Sequence, residues 1–263
     1  MTHTSKTIIG AIAGDVIGSV YERMPFKTIY FPLFTSPSTF TDDSVLTMAV
    51  ADAVLNQKDF KTAIWTYGRN YPKRGYGGMF KAWLKHENPQ PYNSFGNGSA
   101  MRVSAIGFAY NTLADVLERA KQSAEVSHNH IEGIKGAQAT ATAIFLARTG
   151  KSKADIKAYI ETTFDYKLDK TLDEIRPVYR FDATCPGSVP QAIQAFLEST
   201  DYETTIRLAI SLGGDSDTIA CIAGGIAAAY YKHIPEEIIE GVIKRLPNAF
   251  IELLEAFEEK FNP

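Results

Sequence analysis

Gly213-Gly214-Asp215-Ser216-Asp217-Thr218 lies between two apolar helical runs, Ile206 to Leu212 before it and Ile219 to Tyr231 after it. Paired glycines end the first helix, as glycine at a helix C-terminus commonly does. Asp215, Asp217 and the Thr218 hydroxyl then crowd together at the start of the second helix. Such hard oxygens suit a divalent cation of the Mg²⁺, Mn²⁺ or Ca²⁺ type. The run after them holds Ala220, Ala223, Gly224, Gly225, Ala227, Ala228 and Ala229. It reads as a buried central helix that neighbours approach closely. Far upstream, Thr41-Asp42-Asp43-Ser44 opens another apolar helix with the same oxygen chemistry. The rest of the chain reads as scaffolding that brings these two stretches together.

Helical periodicity recurs along the whole length. The expected helices cover 6–21, a run from Thr41-Asp42-Asp43 through Ala53, 60–70, a start at 80–84, 100–110, 113–126, 133–148, 153–164 and 171–178. They continue over 189–197, 202–212, 218–231, 235–246 and 248–261. Proline-bearing loops are expected at 23–40, 86–98 and 181–190. In the first helix Gly10, Gly14 and Gly18 share one face, with Asp15 between them and Glu22 at the end. Each glycine costs about 1 kcal/mol relative to alanine, so close approach of another backbone is the expected compensation. Period-2 alternation is scarce, and no repeat or polar linker divides the chain. The expectation is an all-α fold: a single compact multi-helical domain spanning residues 1–263. Because both halves must build one site, two independent domains are disfavoured.

Composition excludes several classes. The 263 residues are 45% hydrophobic and 22% charged, with a net charge of −3. That gives no basic field for nucleic acid. No run of about 18 apolar residues suggests a membrane span. Two cysteines, Cys185 and Cys221, make no disulfide framework, and no signal peptide is evident, so the cytosol is expected. No long exposed apolar stripe calls for a partner, so a monomer is expected.

Each cluster also has a plain structural explanation. Thr41-Asp42-Asp43 taken alone is a helix cap, and so is Asp217 before its helix. A cap, however, needs one acceptor, and four aspartates with two threonines exceed that need. If the two helix starts meet, four carboxylates converge on two dipoles, each worth about half a charge. Two divalent cations would neutralise the remainder, and a pair about 4 Å apart can bridge and acidify a water. Gly75-Tyr76-Gly77-Gly78 and Ser94-Phe95-Gly96-Asn97-Gly98-Ser99 precede helices, where free N–H groups can cradle phosphate. Neither turn has the lysine of a Walker A loop. His128 and His130 are too few for an imidazole metal site.

In order along the chain stand Gly10-Ala11-Ile12-Ala13-Gly14-Asp15-Val16-Ile17-Gly18 with Glu22, Thr41-Asp42-Asp43, Arg74-Gly75-Tyr76-Gly77, Gly96-Asn97-Gly98-Ser99-Ala100-Met101-Arg102, Ser127-His128 and Gly213-Gly214-Asp215-Ser216-Asp217-Thr218. Together they resemble the ADP-ribosylglycohydrolases, the family that includes dinitrogenase-reductase-activating glycohydrolase. The resemblance implies an all-α fold with a centre of two Mg²⁺ (or Mn²⁺). It implies Thr41, Asp42, Asp43, Asp215, Asp217 and Thr218 as metal ligands and Glu22 as the acid near the scissile bond. It places Gly75, Gly77 and Gly78 against the ADP-ribose phosphates, and Ser94, Gly96 and Asn97 in a second ligand loop. Phe95 falls where an adenine-stacking aromatic is common, and His128 where a histidine lines the ribose site.

The implied activity is hydrolysis of the bond joining ADP-ribose to an ADP-ribosylated acceptor on protein, nucleic acid or a small conjugate. Arginine-directed members carry an aspartate in the region between the Thr-Asp-Asp motif and the second glycine loop. No acid occurs here between Asp59 and Glu87, so the resemblance does not extend to arginine specificity. Two alternatives stand beside it: a silent ADP-ribose-binding module, and a dinuclear phosphohydrolase acting on a nucleotide.

Overall fold

In the computed structural model, which describes residues 7–22, 24 and 26–261, the glycine face of the first helix meets the small-residue helix directly. Helix α1 (Ile9–Gly18) is buried along its whole length. It packs most extensively on α13 (Ser216–Tyr231), which is buried from Ser216 to Ala229. A Cβ on Gly14 would lie 2.1 Å from the Ala220 carbonyl oxygen, and one on Gly18 would lie 2.6 Å from Asp217 Cα. Only glycine lets the two backbones lie this close, which is the compensation for its poor helix propensity. Tyr202 Oη donates to the Gly10 carbonyl at 2.6 Å and Ser216 Oγ to the Gly18 carbonyl at 3.1 Å. These bonds pin α1 at both ends and bring its C-terminal turn beside the start of α13.

The other helices enclose this pair. On one side are α2 (Asp42–Asn56), α3 (Phe60–Asn70) and α15 (Asn248–Phe261). On the other, α8 (Ile131–Arg148), α11 (Cys185–Glu198) and α12 (Tyr202–Ser211) pack on α13. Short helices α4 (Gly78–Lys85), α5 (Gly98–Met101), α6 (Ser104–Ala109) and α10 (Leu172–Ile175) join them. The outer layer is completed by α7 (Leu113–Glu125) and α9 (Lys153–Phe164), both against α8, and by α14 (Glu236–Ile243) against α1. Among the described residues there is no strand, only one antiparallel bridge between Gly96 and Thr184. The fold is all-α, with one continuous hydrophobic core. No helix among the described residues is long and apolar enough to cross a membrane. Cys185 and Cys221 are buried free thiols.

The structure moves several expected boundaries. The expected helix over 100–110 is broken into α5 and α6. Thr47 Oγ1 and Cys221 Sγ both donate to the Met101 carbonyl, at 3.2 and 3.4 Å, so that acceptor is taken where the helix would continue. The segment 181–190, expected as a loop for its prolines, already contains the start of α11 at Cys185. Thr184 caps that helix by accepting from the Gly187 N–H. Pro186 sits in the first turn, where its missing N–H is no loss. The helix expected over 171–178 shrinks to one turn at Leu172–Ile175. Lys6 of the first expected helix, and Arg23 and Pro25 of the loop after it, lie outside the described residues.

Candidate metal centre and cleft

The N-termini of α2 and α13 face each other at the C-terminal end of α1. Asp15, fully buried on α1, joins them. It accepts from the Thr41 N–H at 2.9 Å, Thr41 Oγ1 at 2.6 Å, the Ser44 N–H at 3.0 Å and Ser44 Oγ. Four hydrogen bonds occupy both its oxygens, so Asp15 holds the start of α2 in place. Thr218 Oγ1, from α13, reaches Asp43 Oδ2 at 3.3 Å. Across the gap, Asn97 Nδ2 donates to Asp215 Oδ2 at 2.7 Å and to Ser188 Oγ at 2.9 Å.

Carboxylate oxygens of Asp15, Asp43 and Asp217 lie within 4.8 Å of one another, and so do those of Glu22, Asp215 and Asp217. Asp217 belongs to both groups. Burial pushes the Asp42 carboxyl up to about 8, with the nearby Asp15 charge the next cause. The same causes raise Asp43 well above its ordinary value. Burial, then Asp43 and Asp215, do so for Asp217. Asp215 is raised by burial, with hydrogen bonds from its neighbours working against it. Among the described residues no lysine or arginine forms an ion pair with any of these aspartates. Buried carboxylates without a counter-charge are costly unless a cation joins them. Asp43 Oδ1 is buried with no hydrogen-bond partner. An orphaned carboxylate oxygen amid aspartate and threonine oxygens is a donor set that fits a hard divalent cation.

Above the acids opens a cleft of about 670 Å³. One wall is the turn before α4. Gly75 has φ +102°, and a Cβ there would approach Asp42 Oδ1 to 2.9 Å, so this turn can pass the acid only as glycine. The Asp42 N–H donates to the Arg74 carbonyl at 2.7 Å, tying the turn to α2. Gly77 is the N-cap of α4 and Gly78 its first residue, and no side chain caps that helix end. A Cβ on either glycine would meet open space, so the first-turn N–H groups of α4 stand beside the cleft.

The opposite wall carries Ser94, Gly96, Asn97, Gly98 and His128. Ser94 Oγ accepts from the Gly96 N–H at 3.1 Å, which shapes that loop. Asn97, expected in the ligand loop, has its amide nitrogen engaged by Asp215 and Ser188. The His128 Nε2 edge faces Gly98, where a Cβ would come within 3.1 Å of it. Burial, then the Arg102 charge, holds the imidazole well below its ordinary pKa, so the ring is neutral. Its Nδ1 lies 2.8 Å from Ser127 Oγ, which accepts from Arg102 Nη2 at 3.1 Å.

Most residues singled out from the sequence therefore converge. Glu22, Thr41, Asp42, Asp43, Asp215, Asp217 and Thr218 line the cleft with Gly75, Gly77, Gly78, Ser94, Gly96, Asn97 and His128. Phe95 does not. It is half-exposed, its ring 5.2 Å from that of His130, and the aromatic rings lining the cleft are Tyr76, Phe80, Tyr92 and Phe181. Phe95 sits in a loop whose inward direction is taken by Ser94 and Gly96, and its carbonyl accepts from the Cys185 N–H at 2.9 Å. The holding role of Asp15 was missed, although an acid on a glycine face was a usable signal. Tyr92 and Phe181 had no periodic pattern to mark them, and Arg102 was marked only as the last residue of the Gly96–Arg102 motif, not as a partner of Ser127.

Comparison with known proteins agrees with this geometry. The profile of the ADP-ribosylglycohydrolase family matches residues 4–262. Matching nearly the whole chain, it shows that the protein belongs to the ADP-ribosylglycohydrolases, a family of enzymes. The ADP-ribosylhydrolase ARH3 of Bos taurus is 28% identical, over 87% of this chain and 85% of that one. The ADP-ribosylarginine hydrolase Tri1 of Pseudomonas putida (strain GB-1) is 25% identical, over 89% of this chain and 72% of that one. A solved structure described as an ADP-ribosylglycohydrolase-related protein complex superposes with a TM-score of 0.76 at 21% identity, over 98% of this chain and 96% of that one. At that identity it speaks for the fold alone.

Proposed function

We propose that the protein hydrolyses the bond between the anomeric carbon of ADP-ribose and an acceptor group, using two Mg²⁺ or Mn²⁺ ions. Thr41, Asp42, Asp43, Asp215, Asp217 and Thr218 would hold the ions. Bound there, the ions would supply Lewis acidity and an acidified water beside the reacting carbon. Asp217, common to the two carboxylate groups at the foot of the cleft, is the observation that carries this reading.

The chain's own groups supply the rest. The free N–H groups at the start of α4 face where the diphosphate would lie, an arrangement favourable to anions. His128, neutral and buried, offers Nε2 toward a ribose hydroxyl beside Gly98. Glu22 shares its oxygen neighbourhood with Asp215 and Asp217, at the edge of the cleft. It gives a proton to the departing acceptor or takes one from water. In balance, the carbon–acceptor bond breaks, the water oxygen joins the anomeric carbon, and its proton ends on the acceptor. The buried free thiols Cys185 and Cys221 are compatible with the cytosol, and a monomer is the proposed state.

A chromatographic assay for free ADP-ribose tests the reading, with arginine, serine and nucleic-acid conjugates under Mg²⁺, Mn²⁺ and chelator. Metal-dependent release from one class is the expected result. Unchanged turnover in both Glu22→Gln and Asp217→Asn would overturn the assignment. Release of phosphate or AMP would indicate a phosphohydrolase instead.

A further inference from the structure

A second hollow, of about 800 Å³, opens on the other side of Glu22. Glu22 and Phe181 line both it and the cleft, so the two spaces meet at the proposed proton donor. This inference rests on the function proposed above. With ADP-ribose in the cleft and its anomeric carbon near Glu22, the group attached to that carbon must leave the cleft at this junction.

The hollow has a definite charge. Lys27 and Arg180 line it, and among the described lining residues Glu22 is the sole carboxylate. Among the described residues neither cation forms an ion pair with an acid. Lys27 Nζ donates to the Tyr179 carbonyl at 2.9 Å and to the Leu212 carbonyl. Arg180 Nη1 donates to the Pro177 and Tyr179 carbonyls at 3.1 and 2.8 Å. Carbonyl bonds fix the two charges in place without cancelling them. Lys27 is held below its ordinary pKa by burial first, then by Arg180 and Arg176, so the cations sense one another. Between them the surface is apolar, with Met24, Pro177, Tyr179 and Phe181 suited to a peptide backbone and its side chains. The net charge of −3 and the small number of cations do not suit a nucleic-acid strand.

We propose that this hollow is the acceptor subsite, and that Lys27 and Arg180 select an acceptor carried on an acidic stretch of polypeptide. An ADP-ribosylated arginine keeps its positive guanidinium and would meet two fixed cations. Partly solvated like charges a few ångströms apart lower productive binding by about tenfold. Lys27 also ties its loop to the end of α12, so Arg180, exposed and among the described residues bonded only to nearby carbonyls, is the cleaner probe.

The test uses three synthetic ADP-ribosyl peptides: a serine conjugate with acidic flanks, the same with lysine flanks, and an arginine conjugate. They are compared in the Mg²⁺-loaded wild type, Arg180→Gln and Arg180→Glu. The wild type should favour acidic over basic flanks by about tenfold in kcat/KM. Arg180→Gln should shrink that ratio and Arg180→Glu abolish or invert it, while inhibition by free ADP-ribose stays the same. A flank ratio unchanged in Arg180→Glu, or arginine cleaved as fast as serine by the wild type, overturns the proposal. If no conjugate is cleaved, the hydrolase reading fails by itself. Fluorescence polarisation of the same peptides then still decides the subsite, with equal affinity for acidic and basic flanks overturning it.

Discussion

Two kinds of helix start in this protein use the same residue types for opposite ends. At α9, Ser152 and Asp155 form a capping box: Asp155 Oδ2 accepts from Ser152 Oγ at 2.6 Å and the Ser152 N–H at 3.2 Å. At α10, Thr171 and Glu174 repeat it. These acids are exposed, and their hydrogen bonds hold them below the usual carboxylate range. At α2 and α13 the aspartates are drawn the other way, upward, all by burial and Asp42, Asp43 and Asp217 also by neighbouring carboxylates. Asp215 stands at the N-cap of α13 and makes no side-chain capping bond. An exposed acid bonded within its own helix start is a cap; a buried acid at a helix start with an oxygen left without a partner, as at Asp43, is available to something outside the chain.

The sharpest way to break that comparison is to remove one acid of each kind. Asp217→Asn should weaken Mg²⁺ or Mn²⁺ binding, measured by calorimetry, by more than about 100-fold, since even indirect metal partners cost 10–100-fold. ADP-ribose release should fall with it. Asp155→Asn should shift Tm slightly and leave metal affinity unchanged. Equal effects of the two substitutions on metal binding would erase the distinction.

Acid titration separates the two kinds next. The Asp42 proton is held in the folded protein up to about 8, while in the unfolded chain it leaves near 3.8. Between those values the folded state binds more protons, so stability falls as pH rises. Asp155, shifted the opposite way, adds stability above its unfolded pKa and loses it as pH falls through the folded one. The metal-free protein should therefore lose Tm from pH 5 to pH 8. Saturating Mg²⁺ should restore it, the gain growing with pH. A Tm gain from Mg²⁺ that shrinks over this range would contradict the assignment.

The same contrast explains what the sequence could and could not disclose. The all-α class and the meeting of the two acidic stretches follow from local pattern: helical periodicity, glycines on one face of α1 and small residues along α13. Boundaries failed where a distant side chain decided them, as Thr47 and Cys221 do at the Met101 carbonyl. Within the site, carboxylates and glycine turns carry their chemistry in their identity, so they were legible. The orientation of Phe95 depends on which way a loop turns, and the charge of the second hollow depends on Lys27 meeting Arg180. Neither has a sequence period. Asp15 is intermediate: its position on the glycine face is readable, but its four hydrogen bonds to Thr41 and Ser44 are not.

Asp15 therefore tests whether an acid that is neither a local cap nor a free ligand behaves as a third kind. Asp15→Asn keeps the size but replaces one acceptor oxygen with a donor amide facing the Thr41 and Ser44 donors. Metal affinity should fall about 10–100-fold, as for other groups that orient ligands, and Tm should fall as well. Asp15→Asn with full metal affinity would show that the start of α2 holds its place without it.

The smallest effect expected is at His128, the neutral group facing the acids across the cleft. Ser127 Oγ takes a hydrogen bond from Arg102 Nη2 and has its own proton to give to His128 Nδ1. The neutral ring then carries its proton on Nε2, the edge that faces Gly98 and the cleft. Ser127→Ala removes that proton donor and deprives Arg102 of one of its two acceptors. Long-range proton–nitrogen NMR should show His128 passing from a single Nε2–H tautomer to a mixture. The affinity for ADP-ribose should fall by about tenfold, the scale of one hydrogen bond. Ser127→Thr, which keeps the hydroxyl, should restore both, whereas a loss due only to packing would leave the tautomer unchanged in Ser127→Ala. An Nδ1–H tautomer in the wild type would reverse the assignment, turning the cleft-facing edge of His128 from donor to acceptor.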